Sequence, residues 1–324
     1  MIHRGVGLFR LADRGLLRVT GGDRVRWLDG MLSNEVASLT PGAERSGSYA
    51  LLLTRQGRIV ADPHVLLRPD CLWLELPRAA LAHTQEVLDR FIIADDVTLE
   101  DASDEVDRIA LEGPGAAALV APELVADACS DIEIGGIPVL AAAWGLSGAG
   151  RQLFAPAGAA EVVVAALREA GTDAGLVEAG ADALELLRIE AGIPKLGVEL
   201  DEEVLPAEAR LDAAVSTTKG CYTGQEVVAR MASRGRVSHL LVGLRFDAAE
   251  PASPGAPLEH EGKKVGEITS ACVSLKEGPI ALGFVRAAHA EPGTALQAGG
   301  RPARVAPLPF GASDGADDGV SDRA

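Results

Sequence analysis

The chain has 324 residues, 48% of them apolar, enough for two or three domains with substantial cores. Its formal charge of −17 excludes a generally basic surface, and with it non-specific nucleic-acid binding, while leaving room for a local basic pocket. No uninterrupted apolar run reaches the length of about 18 residues that a membrane-spanning helix needs, so no membrane partner is expected.

The opening Met1-Ile2-His3-Arg4-Gly5 is not followed by the apolar stretch of a secretory leader. Four cysteines, Cys71, Cys129, Cys221 and Cys272, are widely spaced and form no CxxC pair. A reduced, cytoplasmic setting is therefore expected, without a protein-only metal cage.

In chain order, 16–20 reads as a short strand and Gly21-Gly22 as a turn. Asp23 is a candidate helix cap, and Val25, Leu28 and Leu32 give one helical face. Residues 48–53 and 59–67 read as strands joined by the turn Arg55-Gln56-Gly57-Arg58, the second interrupted by Asp62 and Pro63. A strand at 71–76 and an amphipathic helix at 79–92 follow. Asp62 carries two readings. A lone carboxylate among Ile59, Val60 and Val65 is costly unless it has a partner or faces a cavity. Alternation on an edge strand, where Pro63 also fits, would instead turn it to solvent.

Further on, Gly113-Pro114-Gly115 opens a short helix, 132–143 forms a hairpin about Gly135-Gly136, and 160–170 is an alanine-rich helix. A helix over 180–191 stops at Gly192 with Pro194 beyond it, and carries Arg188 and Glu190 near its end. From Val237 the texture changes to short strands at 237–246, 264–274, 279–286 and 302–307, broken by Pro251, Pro254 and Pro257. That spacing suggests a small β-barrel. The expected organisation is an α+β region of two interleaved modules over 1–238, a C-terminal β-barrel over 239–310, and a disordered acidic tail over 311–324.

The stretch with the most chemistry is Lys219-Gly220-Cys221-Tyr222-Thr223-Gly224-Gln225-Glu226, continuing to Arg230. Thr223 and Glu226 stand in capping-box spacing before Val227 and Val228, predicting a helix from Gly224. Cys221 would then sit at a helix N-terminus with Lys219 beside it, and both favour thiolate over thiol. Gly220 and Gly224 permit unusual turns and close approach. The alternative is a cysteine that serves only as a small buried apolar residue.

The run KGCYTGQEVVAR resembles the signature of the YgfZ family, folate-binding proteins related to the glycine-cleavage T-protein. LRIEAGIPKLG at 187–197 resembles the segment that precedes this signature, and VGEITSACVS at 265–274 the T-protein barrel motif. Gly57-Arg58-Ile59-Val60-Ala61-Asp62 resembles the T-protein segment bearing its folate-facing aspartate. The resemblance implies a T-protein-like multi-module ring with tetrahydrofolate, or a one-carbon-substituted folate, in its central channel. It implies a role in assembling, maintaining or repairing iron–sulfur clusters in client enzymes, including radical enzymes that modify tRNA. The partners implied are those clients or cluster-assembly proteins. Cys221 and Lys219 fall on the working positions, with Gly220, Tyr222, Thr223, Gly224, Gln225, Glu226 and Arg230 as the signature loop. Asp62, Asn34, Arg188 and Glu190 are the folate-binding candidates. Two departures from T-proteins favour this family over aminomethyl transfer: Ala61 stands where the first of two aspartates would be, and 145–149 lacks the pterin-holding glutamate. Aminomethyl transfer to tetrahydrofolate and a non-catalytic folate-binding scaffold are the alternatives.

Overall fold

The computed structural model describes residues 2–42, 45–234 and 237–311. The expected tail lies outside the described residues from 312 onward, as does the second half of the basic turn at 233–236. The chain forms two compact units: Met1–Glu185 with Pro194–Val237, and Leu186–Ile193 with the residues after Val237. The helix Ala181–Ala191 thus contributes to both.

Two sheets make up most of the first unit. The larger runs, in spatial order, through Cys129–Ile134, Ile137–Ala142, Gly150–Pro156, Val106–Glu112, Val6–Arg10 and Leu176–Glu178, with only the last pair parallel. The smaller is antiparallel, in the order Gly47–Tyr49, His64–Leu67, Leu72–Pro77, Arg14–Thr20 and Thr98–Asp101. The chain enters the first sheet at Val6, crosses into the second at Arg14 and returns at Val106, so the strands of the smaller sheet fall within the stretch of chain that builds the larger. The helices Arg24–Met31 and Arg78–Asp89 cover the smaller sheet with Trp27, Leu28, Leu81 and Leu88. Ala160–Ala170 covers the larger with Val163, Val164 and Leu167.

The strand expected at 48–53 is divided between two sheets, as is its partner at 59–67. Gly47–Tyr49 pairs with His64–Leu67 in the smaller sheet, while Leu52–Leu53 pairs with Ile59–Ala61 in a separate two-stranded ribbon. Asp62 and Pro63 mark the break on one side, because proline has no amide hydrogen to continue a ladder. On the other side Ala50 N donates to Pro63 O and Leu51 N to the Ser33 hydroxyl, so the break is bonded but not paired. The strands Val6–Arg10, Thr98–Asp101, Val106–Glu112 and Gly150–Pro156 had no counterpart in the periodicity reading.

In the second unit six strands close into a barrel in the order His239–Phe246, Gly278–Arg286, Lys263–Ser274, Pro257–His260, Ala295–Ala298 and Arg301–Ala306. Pro257, expected to break the chain, instead opens a strand, the position where a missing amide costs least. Leu244, Leu258, Ile268, Ala281 and Val285 fill the interior. Ile189 packs with Leu241, Ile280, Leu282 and Phe310 of the same unit. The expected α+β class and the closed barrel are both present.

Polar groups join the two sheets of the first unit. Arg14 donates from Nε and Nη2 to the two carboxylate oxygens of Glu75 at 2.6 and 2.7 Å. Arg108, from the larger sheet, donates from Nη2 to Glu75 Oε1 at 2.7 Å and from Nη1 to Leu153 O. Its guanidinium lies 3.6 Å from the centre of the Phe154 ring, its partner in strand register. The Glu75 side chain is wholly buried, and that of Arg108 nearly so. Glu75→Ala should cost about 3–5 kcal/mol, because it leaves two arginines without their shared carboxylate. Equilibrium unfolding in urea checks this: a lower midpoint with unchanged slope is expected.

Candidate functional site

The loop at 216–224 is fixed at several points. Lys219 projects inward, its side chain only 2% exposed, and its ammonium donates to the carbonyls of Asp29, Leu32 and Asn34 at 2.6, 3.0 and 2.8 Å. Asp29 Oδ1 stands 3.3 Å away. These carbonyls lie at and just beyond the C-terminal end of the helix Arg24–Met31, where a cation is favoured. Burial lowers the pKa of Lys219, and Asp29 acts in the opposite direction. The ammonium expected to support Cys221 is thus enclosed by oxygens of another segment, as a post for the loop. Thr223 N donates to Gly30 O, and Gln225 Nε2 to Gly220 O, each at 3.3 Å.

The expected capping box does not form. The helix runs over Gln225–Arg234, and its first carbonyl acceptor is Gly224, which receives Val227 N and Val228 N. Thr223 makes no side-chain hydrogen bond to a described residue, and Glu226, with 87% of its side chain exposed, pairs with Arg230 at 2.8 Å. The reason lies at Gly224. Its φ is +83°, and a Cβ there would come within 2.6 Å of Thr54 O. The chain therefore enters the helix through glycine, one residue past the threonine. Gly220, by contrast, is uncrowded.

Cys221 is exposed, and none of the four cysteines is in a disulfide. Cys71 and Cys129 are buried. Burial, with Asp70 adding to it, pushes the Cys71 thiol up to about 11, and burial raises Cys129 as well. Cys272 is partly covered. Tyr222 is buried, with its ring 5.6 Å from the Lys219 ammonium.

A second constellation surrounds Asp62. Cross-strand register places Tyr49 opposite His64, and His64 opposite Glu75. His64 is stacked between Tyr49 and Trp144, at centroid distances of 4.6 and 4.2 Å. The Tyr49 hydroxyl donates to Asp62 Oδ2 at 3.1 Å, while Asp62 Oδ1 is buried without a partner among the described residues. Asp62 is half-buried, with Oδ1 out of contact with solvent and Oδ2 held by Tyr49, so it has the partner that the first of its two readings required. Burial raises its pKa to about 6, against the pull of Arg14 and the Tyr49 hydrogen bond. Burial also takes His64 down to about 3, which keeps it neutral. Burial raises Glu75, but Arg14 and Arg108 outweigh it and hold this carboxylate well below the ordinary range.

Asn34 connects the two groups. Its carbonyl accepts from Lys219, its amide donates to Tyr49 O at 2.9 Å and to Ala213 O at 3.2 Å, and Tyr49 reaches Asp62. Arg188 and Glu190 lie in the second unit instead, both buried. Arg188 donates to Ser270 Oγ at 2.7 Å and to Ile193 O, and Glu190 accepts from the Ser274 hydroxyl. These contacts hold the helix to the barrel.

The sequence reading passed over Tyr49, His64, Trp144, Arg14, Glu75 and Arg108. Glu75 carried a usable signal, a carboxylate inside the apolar run Leu72-Trp73-Leu74-Glu75-Leu76, the same logic that singled out Asp62. Glu112 was also missed. It is fully buried and accepts from Leu146 N, Ser147 N, Ser147 Oγ and Gln152 Nε2, fixing the loop that follows Trp144. Burial raises its pKa to about 7, against the pull of these donors. A carboxyl with a raised folded-state pKa adds stability at low pH and loses it as pH rises through the folded value. The wild type should therefore gain stability relative to Glu112→Gln as pH falls from about 8 to about 5. Paired unfolding curves across this range check it.

Comparison with known proteins bears on the whole chain. Residues 1–219 match the GCVT N-terminal domain, and residues 240–310 match the glycine cleavage T-protein C-terminal barrel domain. An aminomethyltransferase of Saccharopolyspora erythraea is 32% identical over 326 residues, spanning 95% of this chain and 88% of its own. One from Cutibacterium acnes is 32% identical over 91% of this chain and 83% of its own. The crystal structure of glycine cleavage system aminomethyltransferase T from Bartonella henselae shares the fold. Its TM-score is 0.83 at 24% identity, over 95% of this chain and 87% of that one. From the sheets joined through the Arg14–Glu75–Arg108 triad to the closed barrel, the chain belongs to the glycine cleavage T-protein family.

Proposed function

We propose that this protein binds tetrahydrofolate, or a one-carbon-substituted folate, with Asp62 facing the pterin. We propose further that Cys221 makes it an accessory protein of the YgfZ kind for iron–sulfur enzymes in the cytoplasm, among them radical enzymes that modify tRNA. The observation that carries the folate reading is Asp62 Oδ1, a buried acceptor without a partner among the described residues. A pterin edge presents N–H donors that would satisfy it, and the Tyr49–His64–Trp144 stack lies beside it. Tetrahydrofolate would accept a one-carbon unit, and a substituted folate would donate one. This chain's residues would bind and orient the pterin. The thiol reading rests on Cys221 being the exposed cysteine, on a loop held in place by a buried lysine.

A second reading, aminomethyl transfer to tetrahydrofolate, draws on the relatives described as aminomethyltransferases. Asp62 would then hold or polarise the amine. Ala61 and Ala149, at positions where T-proteins carry an aspartate and a glutamate, weigh against it.

Titration with tetrahydrofolate should show Asp62→Ala binding about ten- to a hundredfold more weakly, the worth of a charge-assisted hydrogen bond. Unchanged affinity in a folded variant removes Asp62 from the site. Cys221→Ser should keep folate affinity and stability but fail to restore iron–sulfur enzyme activity in a deletion strain. Full restoration would make Cys221 structural. Supplying aminomethylated carrier protein with tetrahydrofolate separates the two readings, since only an aminomethyltransferase releases ammonia and methylene-tetrahydrofolate.

A further inference from the structure

The first unit contains a cavity of about 390 Å³, within the usual range of roughly 300–1,000 Å³ for small-molecule sites. Its lining includes four arginines, Arg10, Arg14, Arg78 and Arg108, against two acidic residues, Asp104 and Asp107. Arg14 and Arg108 share one carboxylate, that of Glu75, while Arg10 and Arg78 are each paired with acids of their own.

The arginines differ in how firmly they are held. Arg14 and Arg108 form the deep wall, with side chains 14% and 3% exposed, and they share the carboxylate of Glu75. Arg108 Nε is buried with no hydrogen-bond partner among the described residues. Arg10 and Arg78 belong to the outer part and pair with carboxylates that face solvent. Glu161 is 81% and Asp104 85% exposed. Arg10 also pairs with Glu178. Exposed pairs of this kind are worth little and exchange readily for a better acceptor.

Backbone geometry adds to the positive potential. Arg78 begins the helix Arg78–Asp89 and Ala160 begins Ala160–Ala170, and both residues line the cavity. The residues preceding them, Pro77 and Ala159, provide no side-chain cap. One amide at each end is already bonded, Arg78 N to Asp13 O and Ala160 N to Asp107 Oδ2. The helix dipoles nonetheless direct partial positive charge toward the same space.

We propose that this cavity binds a small phosphate-bearing molecule. A phosphate group offers three terminal oxygens to several guanidinium groups at once, where a carboxylate offers two. Leu11, Val106 and Ile109 in the lining supply an apolar surface for the remainder of the molecule. The lining of this cavity includes none of Asp62, Tyr49, His64 and Trp144, the residues of the folate reading.

Calorimetric titration of the full chain with inorganic phosphate at low ionic strength tests the proposal, with malonate and chloride at matched ionic strength as controls. The buried arginines are left intact because their loss could unfold the unit. Arg78→Gln removes an outer cation, and Ala160→Leu intrudes on the cavity. Phosphate should bind saturably at one site. Arg78→Gln should weaken it about tenfold, the effect of losing one charge-assisted hydrogen bond. Ala160→Leu should abolish it, with both variants keeping wild-type circular dichroism and tetrahydrofolate affinity. Absence of saturable phosphate binding, malonate binding as tight as phosphate, or equal phosphate affinity in both folded variants and wild type would each overturn it.

Discussion

The Glu75 carboxylate is the point on which the first unit depends. It receives Arg14 from its own sheet and Arg108 from the other, so a single buried anion ties together strands that hydrophobic packing alone would leave free to slide. Around it the apolar layer of Leu16, Leu66, Leu140 and Phe154 excludes water and lowers the local dielectric. The same dielectric explains the neighbouring electrostatics. Asp62 and Glu112 are pushed toward their neutral forms by burial, and His64 is kept from protonation, while Glu75 stays ionised because two cations face it.

The triad also shapes both proposed ligand sites. The row Tyr49–His64–Glu75 is set by strand register, which brings a hydroxyl, an imidazole and a carboxylate into line beside Asp62. The guanidinium groups of Arg14 and Arg108 also line the cavity. A buried ion cluster is weak evidence for stability in itself. Here it fixes the positions of polar groups that a purely apolar interface would not hold.

The cysteine loop is organised by the same means, a charge satisfied at a distance. Lys219 closes the end of the helix Arg24–Met31, and the contacts continue through Asn34 and Tyr49 to Asp62. Gly224, pressed against Thr54 O, sets the loop's exit into its helix. Cys221 remains at the surface while Lys219, two positions before it, and Tyr222, just after it, point inward.

Sequence alone determined what depends on neighbours along the chain. An apolar stripe recurring with the helical turn located the helix at 79–92, alanine content the one at 160–170, and the stop at Gly192 with Pro194 beyond it marked the end of the one at 180–191. Turn glycines located the hairpin at Gly135-Gly136, where both residues have positive φ. A carboxylate in an apolar strand was enough to mark Asp62. The tertiary structure decided what depends on partners far away in sequence. Arg14 and Glu75 are 61 positions apart, and Glu75 and Arg108 are 33 apart. No local pattern encodes which buried charge another will meet. The direction of Lys219 was likewise open until the carbonyls 185 to 190 positions before it were in place. Thr223 and Glu226 had the spacing of a cap, but spacing describes only the helix. The close approach of Thr54 O, a contact made by folding, assigned the cap to Gly224.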